Sequence, residues 1–191
     1  MNLSWQKAEK ILKNDGVVIL PTDTLYGITG LALSKKVIER IYKIKGRDEK
    51  KPFIVLITSY KDLELFGVKI REKQAKILEK FWPGKVTVVL PCPSIKFEYL
   101  HRGVMSIAFR MISGINKNLY NLIKKVGPLV APSANPSDLK YAETIAQPEK
   151  YFENKVDLYI DKGAKKGKSS TLVKFDNDKL VVLRQGEVLV E

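Results

Sequence analysis

Gly16-Val17-Val18-Ile19-Leu20-Pro21-Thr22-Asp23-Thr24-Leu25-Tyr26-Gly27 is the stretch on which the fold turns. Residues 17–20 form a short, wholly apolar run, the pattern of a strand buried on both faces. A polar loop, Pro21 to Gly27, follows at once. The arrangement recurs: Lys45-Gly46-Arg47 follows a helical stretch, and Pro132-Ser133-Ala134-Asn135-Pro136 follows the apolar Leu129-Val130-Ala131. Small hydroxyl and amide groups, with two cations fixed at the ends of core elements, suit a phosphate-bearing ligand. Such ends are where an open α/β sheet binds its ligands.

Working outward, Trp5, Ala8, Ile11 and Leu12 recur at helical spacing until Asn14-Asp15-Gly16 stops the helix. Val37, Ile38, Ile41, Tyr42 and Ile44 mark a second amphipathic helix, with Ser34 as its N-cap and Gly46 just past its end. Phe53 to Ile57 reads as another buried strand. Helical pieces are expected around 60–65 and 71–82, ended by Pro83-Gly84. Strands are expected at 86–90, 104–111 and 129–131, with a helix at 115–126 and a weaker one at 142–154. The last quarter reads as strands near 156–160, 170–175 and 179–184. This alternation predicts an α/β fold with some antiparallel pairing late in the chain, in a single domain spanning 1–191.

The 191 residues are enough for one domain with a real core, and an apolar content of 45% reads as globular. The formal net charge is +13. Lysine-rich surfaces are common in heat-adapted proteins, and they also suit a polyanionic partner, either nucleic acid or a nucleotide triphosphate. Cys92 and His101 are the sole cysteine and histidine, which excludes a disulfide framework and any Cys/His metal site. His101, in a polar stretch, reads as a surface or loop residue. No apolar run reaches transmembrane length and residues 1–20 lack a signal-peptide pattern, so the chain is expected to be cytoplasmic, with no membrane partner.

Each candidate has two readings. Thr22 and Thr24 share one side of an extended segment, with Asp23 opposite; two hydroxyls could bind a polar ligand or simply make side-chain turns. Lys45 and Arg47 bracket a helix C-terminus, where cations relieve the helix dipole, and they equally suit a triphosphate. In Ser106-Ile107-Ala108-Phe109-Arg110-Met111, the bulky residues share one face while Ser106, Ala108 and Arg110 share the other. A charge among small residues points to a cleft that takes an anion such as a carboxylate, although an exposed strand face gives the same pattern. Ser133 and Asn135 are also ordinary turn residues. Gly163-Ala164-Lys165-Lys166-Gly167-Lys168-Ser169 has three residues between its glycines where a P-loop needs four, and a β-like run follows it. It is not a Walker motif; it reads as a mobile loop able to close over phosphates.

In this order, the segments resemble the YrdC/TsaC family of threonylcarbamoyl-AMP synthases, from about Gly16 to Gly186. The resemblance rests on residues 21–27, on Lys45 and Arg47, on Ser133 and Asn135, and on Phe81-Trp82-Pro83-Gly84-Lys85-Val86-Thr87. Ser170-Thr171-Leu172-Val173 and Arg184-Gln185-Gly186 complete it. It implies a YrdC-like twisted open mixed sheet with flanking helices and a large basic concave face. The implied reaction joins L-threonine, bicarbonate (or CO2) and ATP into threonylcarbamoyl-AMP and pyrophosphate. A downstream threonylcarbamoyl transferase complex would then modify an adenosine of tRNA.

By resemblance, Lys45 and Arg47 hold the phosphates and carry the catalysis. Ser133, Asn135, Tyr141 and Arg184 also belong to the nucleotide, while Thr24, Arg110 and Ser170 grip the threonine. Mg2+ would arrive with ATP, with neither a protein metal site nor a prosthetic group. Three positions depart from the family pattern: Asp138 stands where a glycine is usual, Ile112 near a usual proline, and Leu56 where a histidine sometimes contacts threonine. The C-terminal domain of longer members has no counterpart. Two rival readings remain, a structured-RNA-binding module without catalysis and a carbamoyl-adenylate-forming domain. Direct RNA binding stays open for the synthase reading as well. The aromatics Tyr26, Tyr42, Phe53, Phe81 and Trp82 sit in apolar patterns and read as core instead of base-stacking platforms.

Overall fold

The apolar run forms strand β1 (Val18–Pro21), and the polar loop returns the chain directly into β2 (Tyr26–Leu31), its antiparallel neighbour. Sequence patterning misses β2 because Gly27, Thr29 and Gly30 interrupt its apolar pattern. Packing accounts for all three. A Cβ on Gly30 would lie 2.2 Å from Cγ1 of Val37, and one on Gly27 would lie 3.0 Å from Cγ2 of Thr22. The Thr29 hydroxyl donates to the Val18 carbonyl at 2.8 Å, so it is buried without loss.

This computed structural model describes residues 2–48, 50–137 and 139–190. Helix α1 (Leu3–Lys13) is capped by Asn2, whose side chain accepts from the Trp5 N–H. Helix α2 (Lys35–Lys45) is capped by Ser34 and closed by Gly46 in the left-handed region at φ 55, both as the sequence predicts. After it come β3 (Ile54–Ile57), the short α3 (Lys61–Glu64) and α4 (Glu72–Leu78), β4 (Val86–Pro91) and α5 (Glu98–His101). Then follow β5 (Ser106–Met111), α6 (Lys117–Val126), β6 (Leu129–Val130), α7 (Ala146–Phe152), β7 (Leu158–Tyr159), β8 (Thr171–Asp176) and β9 (Lys179–Arg184). The helix expected at 71–82 stops at Leu78, and residues 79–83 run as turns.

Among the described residues, nine strands join one sheet in the order β7-β1-β2-β6-β3-β5-β4-β8-β9. Three pairs are parallel (β7/β1, β3/β5 and β4/β8), and the others are antiparallel. The mixed α/β fold expected from the sequence is therefore what forms. Among the described residues, no helix is long and apolar enough to cross a membrane.

The two faces of the sheet are covered differently. Ile19, Ile28, Val130, Val55, Phe109, Val88 and Val173 share a continuous core with α2, the Phe66 and Phe97 rings and Trp82. On the other face, Val18, Leu20, Leu129 and Leu56 pack under α1 and α6 through Trp5, Ala8, Leu12, Leu119, Leu122 and Ile123. That helical cover ends beside β3. Ile54, Ala108, Arg110 and Leu172 line an open cleft beyond it.

One reading is corrected here. His101 is fully buried, not on the surface: Nδ1 accepts the Gly103 N–H at 3.2 Å, and Nε2 lies 3.2 Å from the Ser94 carbonyl. Leu56, too, is wholly buried in the core under α1 and α6. Ile112 is buried in that same core and donates its N–H to Ile57 at 2.8 Å, a bond that proline could not make.

If α6 seals this face by packing, Leu119→Ala should cost about 3 kcal/mol in urea unfolding. A loss under about 1 kcal/mol would show that α6 contributes little to the seal.

Candidate functional site

The cleft, of about 610 Å³, gathers all nine residues singled out by the sequence: Thr24, Lys45, Arg47, Arg110, Ser133, Asn135, Tyr141, Ser170 and Arg184. Side chains from α2, β5 and β9 and from four loops thus converge, although 160 positions separate Thr24 from Arg184. Asp138, the remaining departure from the family pattern, lies outside the described residues.

One end of the cleft is built by the close of α2. The side chain of Lys45, its last residue, is buried, and Nζ donates to the Ser133 carbonyl at 2.6 Å and to the Asn135 carbonyl. The two motifs that looked separate in sequence are therefore clasped together. Gly46 turns the chain so that Arg47 lies half-buried, its Nε donating to the Lys51 carbonyl at 3.0 Å and its guanidinium 5.5 Å from the Phe53 ring centre. Phe53 in turn stacks on Tyr42 at 4.1 Å. Asn135 donates to the Pro136 and Leu139 carbonyls at 2.9 and 2.6 Å, while its buried Oδ1 has no protein partner. Tyr141 stands at the rim, 45% exposed.

The other end centres on Arg110, a guanidinium only 3% exposed. Its Nη2 lies 2.9 Å from Oδ1 of Asp23, and its buried Nε has no protein partner. Burial pulls its pKa down, Asp23 pulls it up, and Arg184 pulls it down again. Asp23 is thus a residue that sequence reasoning passed over. It was placed opposite the two threonines on an extended chain, but the segment is a tight turn. Thr22 Oγ1 donates to the Leu25 carbonyl at 2.6 Å, accepts the Thr24 and Leu25 N–H groups, and lies 3.2 Å from Thr24 Oγ1. The turn reading is right for Thr22, and it delivers Asp23 to Arg110. Thr22 and Thr24 both line the cleft, their hydroxyls side by side.

Ser170 Oγ lies 2.7 Å from Thr87 Oγ1, and a hydroxyl so engaged keeps capacity for another bond. Arg184 donates to the Ser170 carbonyl at 3.0 Å. Gly186 crosses this segment so closely that a Cβ would lie 2.3 Å from the Ser169 carbonyl oxygen and 2.5 Å from the Thr171 nitrogen.

The loop at 161–169 also lines the cleft, through Lys165, Gly167 and Ser169. Lys165 was not singled out as a site residue. Its Nζ donates to the Thr22 carbonyl at 2.5 Å and its backbone N–H to Glu143 at 2.7 Å. Tyr26 and Phe53, read as core, are core and also cleft wall. Among the described residues, no three His, Cys, Asp or Glu side chains form a cluster that could hold a metal ion.

Two predictions follow from these contacts. Burial, and after it Arg47, pull the Lys45 pKa from 10.5 down to about 7; the carbonyls at its head favour the charged form. Between these values the unfolded chain holds a proton that the folded chain does not. Stability should therefore fall as pH drops from about 10 to about 7 and stay level below. Urea midpoints should show this slope in the wild type and not in Lys45→Met; equal slopes would refute the assignment. Gly186→Ala should destabilise by at least about 2 kcal/mol, because its Cβ meets backbone on three atoms. An unchanged melting temperature would contradict the close crossing.

A family profile covering Sua5, YciO and YrdC proteins, described as "Telomere recombination", matches residues 10–186. A relative in Methanocaldococcus jannaschii is 31% identical over 186 residues, 96% of this chain and 86% of its own length. The protein named threonylcarbamoyl-AMP synthase in Pyrococcus abyssi is also 31% identical over 186 residues, covering 96% of this chain and 54% of its own. The chain thus spans about half of that longer relative. The crystal structure of P. abyssi Sua5 complexed with L-threonine superposes with a TM-score of 0.86 at 30% identity, over 95% of this chain and 54% of that one. Sequence and fold agree: the chain belongs to the Sua5/YciO/YrdC family.

Proposed function

We propose that this chain is an L-threonylcarbamoyladenylate synthase, using L-threonine, bicarbonate (or CO2) and ATP. The observation that supports the reading is one cleft lined by two groups of cations, each set among small polar side chains. Lys45 and Arg47 stand with Ser133 and Asn135 at one end; Arg110 stands with Thr24 and Ser170 at the other. A point-charge ammonium and a forked guanidinium suit a triphosphate. A buried guanidinium with an unpartnered Nε suits the carboxylate of an amino acid. The name of the P. abyssi relative, and the threonine bound by Sua5 from that organism, support the same reading.

The chemistry asks for no nucleophile from the protein. The neutral amine of threonine and bicarbonate give a carbamate and water. A carbamate oxygen then attacks the α-phosphorus of ATP, the bond to the β-phosphate oxygen breaks, and pyrophosphate leaves. The protein has to align the two substrates, neutralise charge and keep water from a labile carbamate. Mg2+ enters as part of the ATP substrate, neutralising its phosphates. The adenylate is activated for acyl transfer, so a downstream transferase acting on tRNA adenosine is its consumer.

The test is pyrophosphate release from Mg·ATP and bicarbonate, with and without L-threonine, with the adenylate identified by mass. Release should depend on threonine, and Lys45→Ala, Arg47→Ala and Arg110→Ala should each lower kcat/KM by about 100-fold or more without lowering the melting temperature by more than a few degrees. No ATP turnover, combined with salt-dependent RNA affinity, would overturn the reading in favour of an RNA-binding module. Turnover with carbamoyl phosphate and not with threonine would place the chain with the carbamoyl-adenylate-forming domains.

A further inference from the structure

The cations of the cleft are more numerous than the sequence motifs require. Lys165 is outside every motif, yet its ammonium reaches the Thr22 carbonyl, beside the turn that presents Asp23 to Arg110. The strap that carries it is seated at several points. The Tyr26 hydroxyl accepts the Lys162 N–H at 3.0 Å and lies 2.8 Å from the Gly163 carbonyl. Lys165 donates its own N–H to Glu143 at 2.7 Å. Near the far end, a Cβ on Gly167 would lie 3.2 Å from the Thr24 carbonyl, so the strap also runs close to the turn there. The position of Lys165 over the cleft is thus set by backbone and by a core tyrosine.

We propose that Lys165 is a positioning residue of the amino-acid end of the cleft, the second cation which, with Arg110, holds the substrate carboxylate. This rests on the synthase reading and names a residue that the reading does not require. The first argument is charge. The charges acting on Lys165 are those of Asp23, Lys85, Glu187 and Arg110. Lys85 and Glu187 pair with each other and cancel. Arg110, Lys165 and Asp23 together then carry a net +1, to which the nearby Arg184 adds, so this end of the cleft has positive charge to spare for a carboxylate. The second argument is unmet hydrogen-bonding capacity. Arg110 Nε is buried without a protein partner, and Lys165 Nζ has three donors against the one carbonyl it meets. The third is burial: half-buried beneath its strap, the ammonium is partly desolvated, a setting in which a counter-ion counts for more than it does in open water.

A purely structural reading, in which Lys165 only latches the strap to the turn, makes a different prediction. Lys165→Gln keeps a hydrogen-bond donor of similar reach and loses the charge, whereas Lys165→Arg keeps the charge. The experiment is calorimetric titration of L-threonine into each protein saturated with Mg·α,β-methylene-ATP, an analogue whose αβ bridge cannot be cleaved. Lys165→Gln should weaken threonine binding about tenfold and Lys165→Arg by no more than about threefold, with affinity for the analogue unchanged within about twofold in both. Threonine binding by Lys165→Gln at wild-type strength, or an equal loss in both variants, would overturn the role of the charge while leaving the synthase reading standing. A wild-type protein that bound neither the analogue nor threonine would overturn both.

Discussion

A guanidinium 3% exposed in the middle of a β-sheet is the constraint to which the rest of this site is fitted. Burying a charge costs several kcal/mol unless it is paired and hydrogen-bonded. In β5, Arg110 follows Phe109 and precedes Met111, both packed into the opposite core, so the strand alternation commits it to the cleft face. Its carboxylate partner, Asp23, comes from the β1–β2 turn, and that requirement reaches back along the chain. The turn has to be tight, which the hydroxyl of Thr22 ensures with three hydrogen bonds. The returning strand has to come close, which explains glycine at position 27.

The same face of the sheet shows why the cleft lies where it does. Helices α1 and α6 cover β1, β6 and the Leu56 position of β3, and their contribution stops there. From that edge onward Ile54, Ala108, Arg110 and Leu172 line the open cleft. A third helix on this face would have completed a conventional layered fold. In its place, the loops after β6 and β7 arch over the sheet and bring Ser133, Asn135 and Lys165 to the open side.

Much of this was legible in the sequence because the informative residues sit at the ends of regular elements. Apolar runs locate eight of the nine strands, Ser34 and Gly46 bracket α2, and the alternation from Ser106 to Met111 puts Arg110 on the correct face. Strand β2 was hidden because its glycines serve packing against Val37 and Thr22, and a missing side chain leaves no apolar signal. His101 looked exposed because its neighbours are polar, whereas its ring is satisfied by backbone groups of its own segment. Asp23 and Lys165 escaped for a different reason. Each is a charged residue in a loop, and only the pairing of β1 with β2 and the return from β7 give them partners. The traces in the sequence were the acidic residue between two threonines and the glycine- and lysine-rich loop at 163–169, and neither names a partner.

Arg184 is felt at both ends of the cleft. Its positive charge pulls down the pKa of both Arg47 and Arg110, so it sits within electrostatic reach of both. It comes from β9, an edge strand whose residues are largely exposed, and an arginine there would ordinarily extend into solvent. Two features hold it inward. Its guanidinium donates to the Ser170 carbonyl, and the chain just beyond it crosses the Ser169–Thr171 segment at Gly186, where Thr171 Oγ1 accepts the Gly186 and Val188 N–H groups. Neither end of the cleft needs such a crossing for itself. A reaction that joins a carboxylate-bearing ligand to a phosphate needs a cation at the junction, where charge builds up as the new bond forms. The tightest backbone contact at the site thus fixes an arginine whose charge is felt by both Arg47 and Arg110.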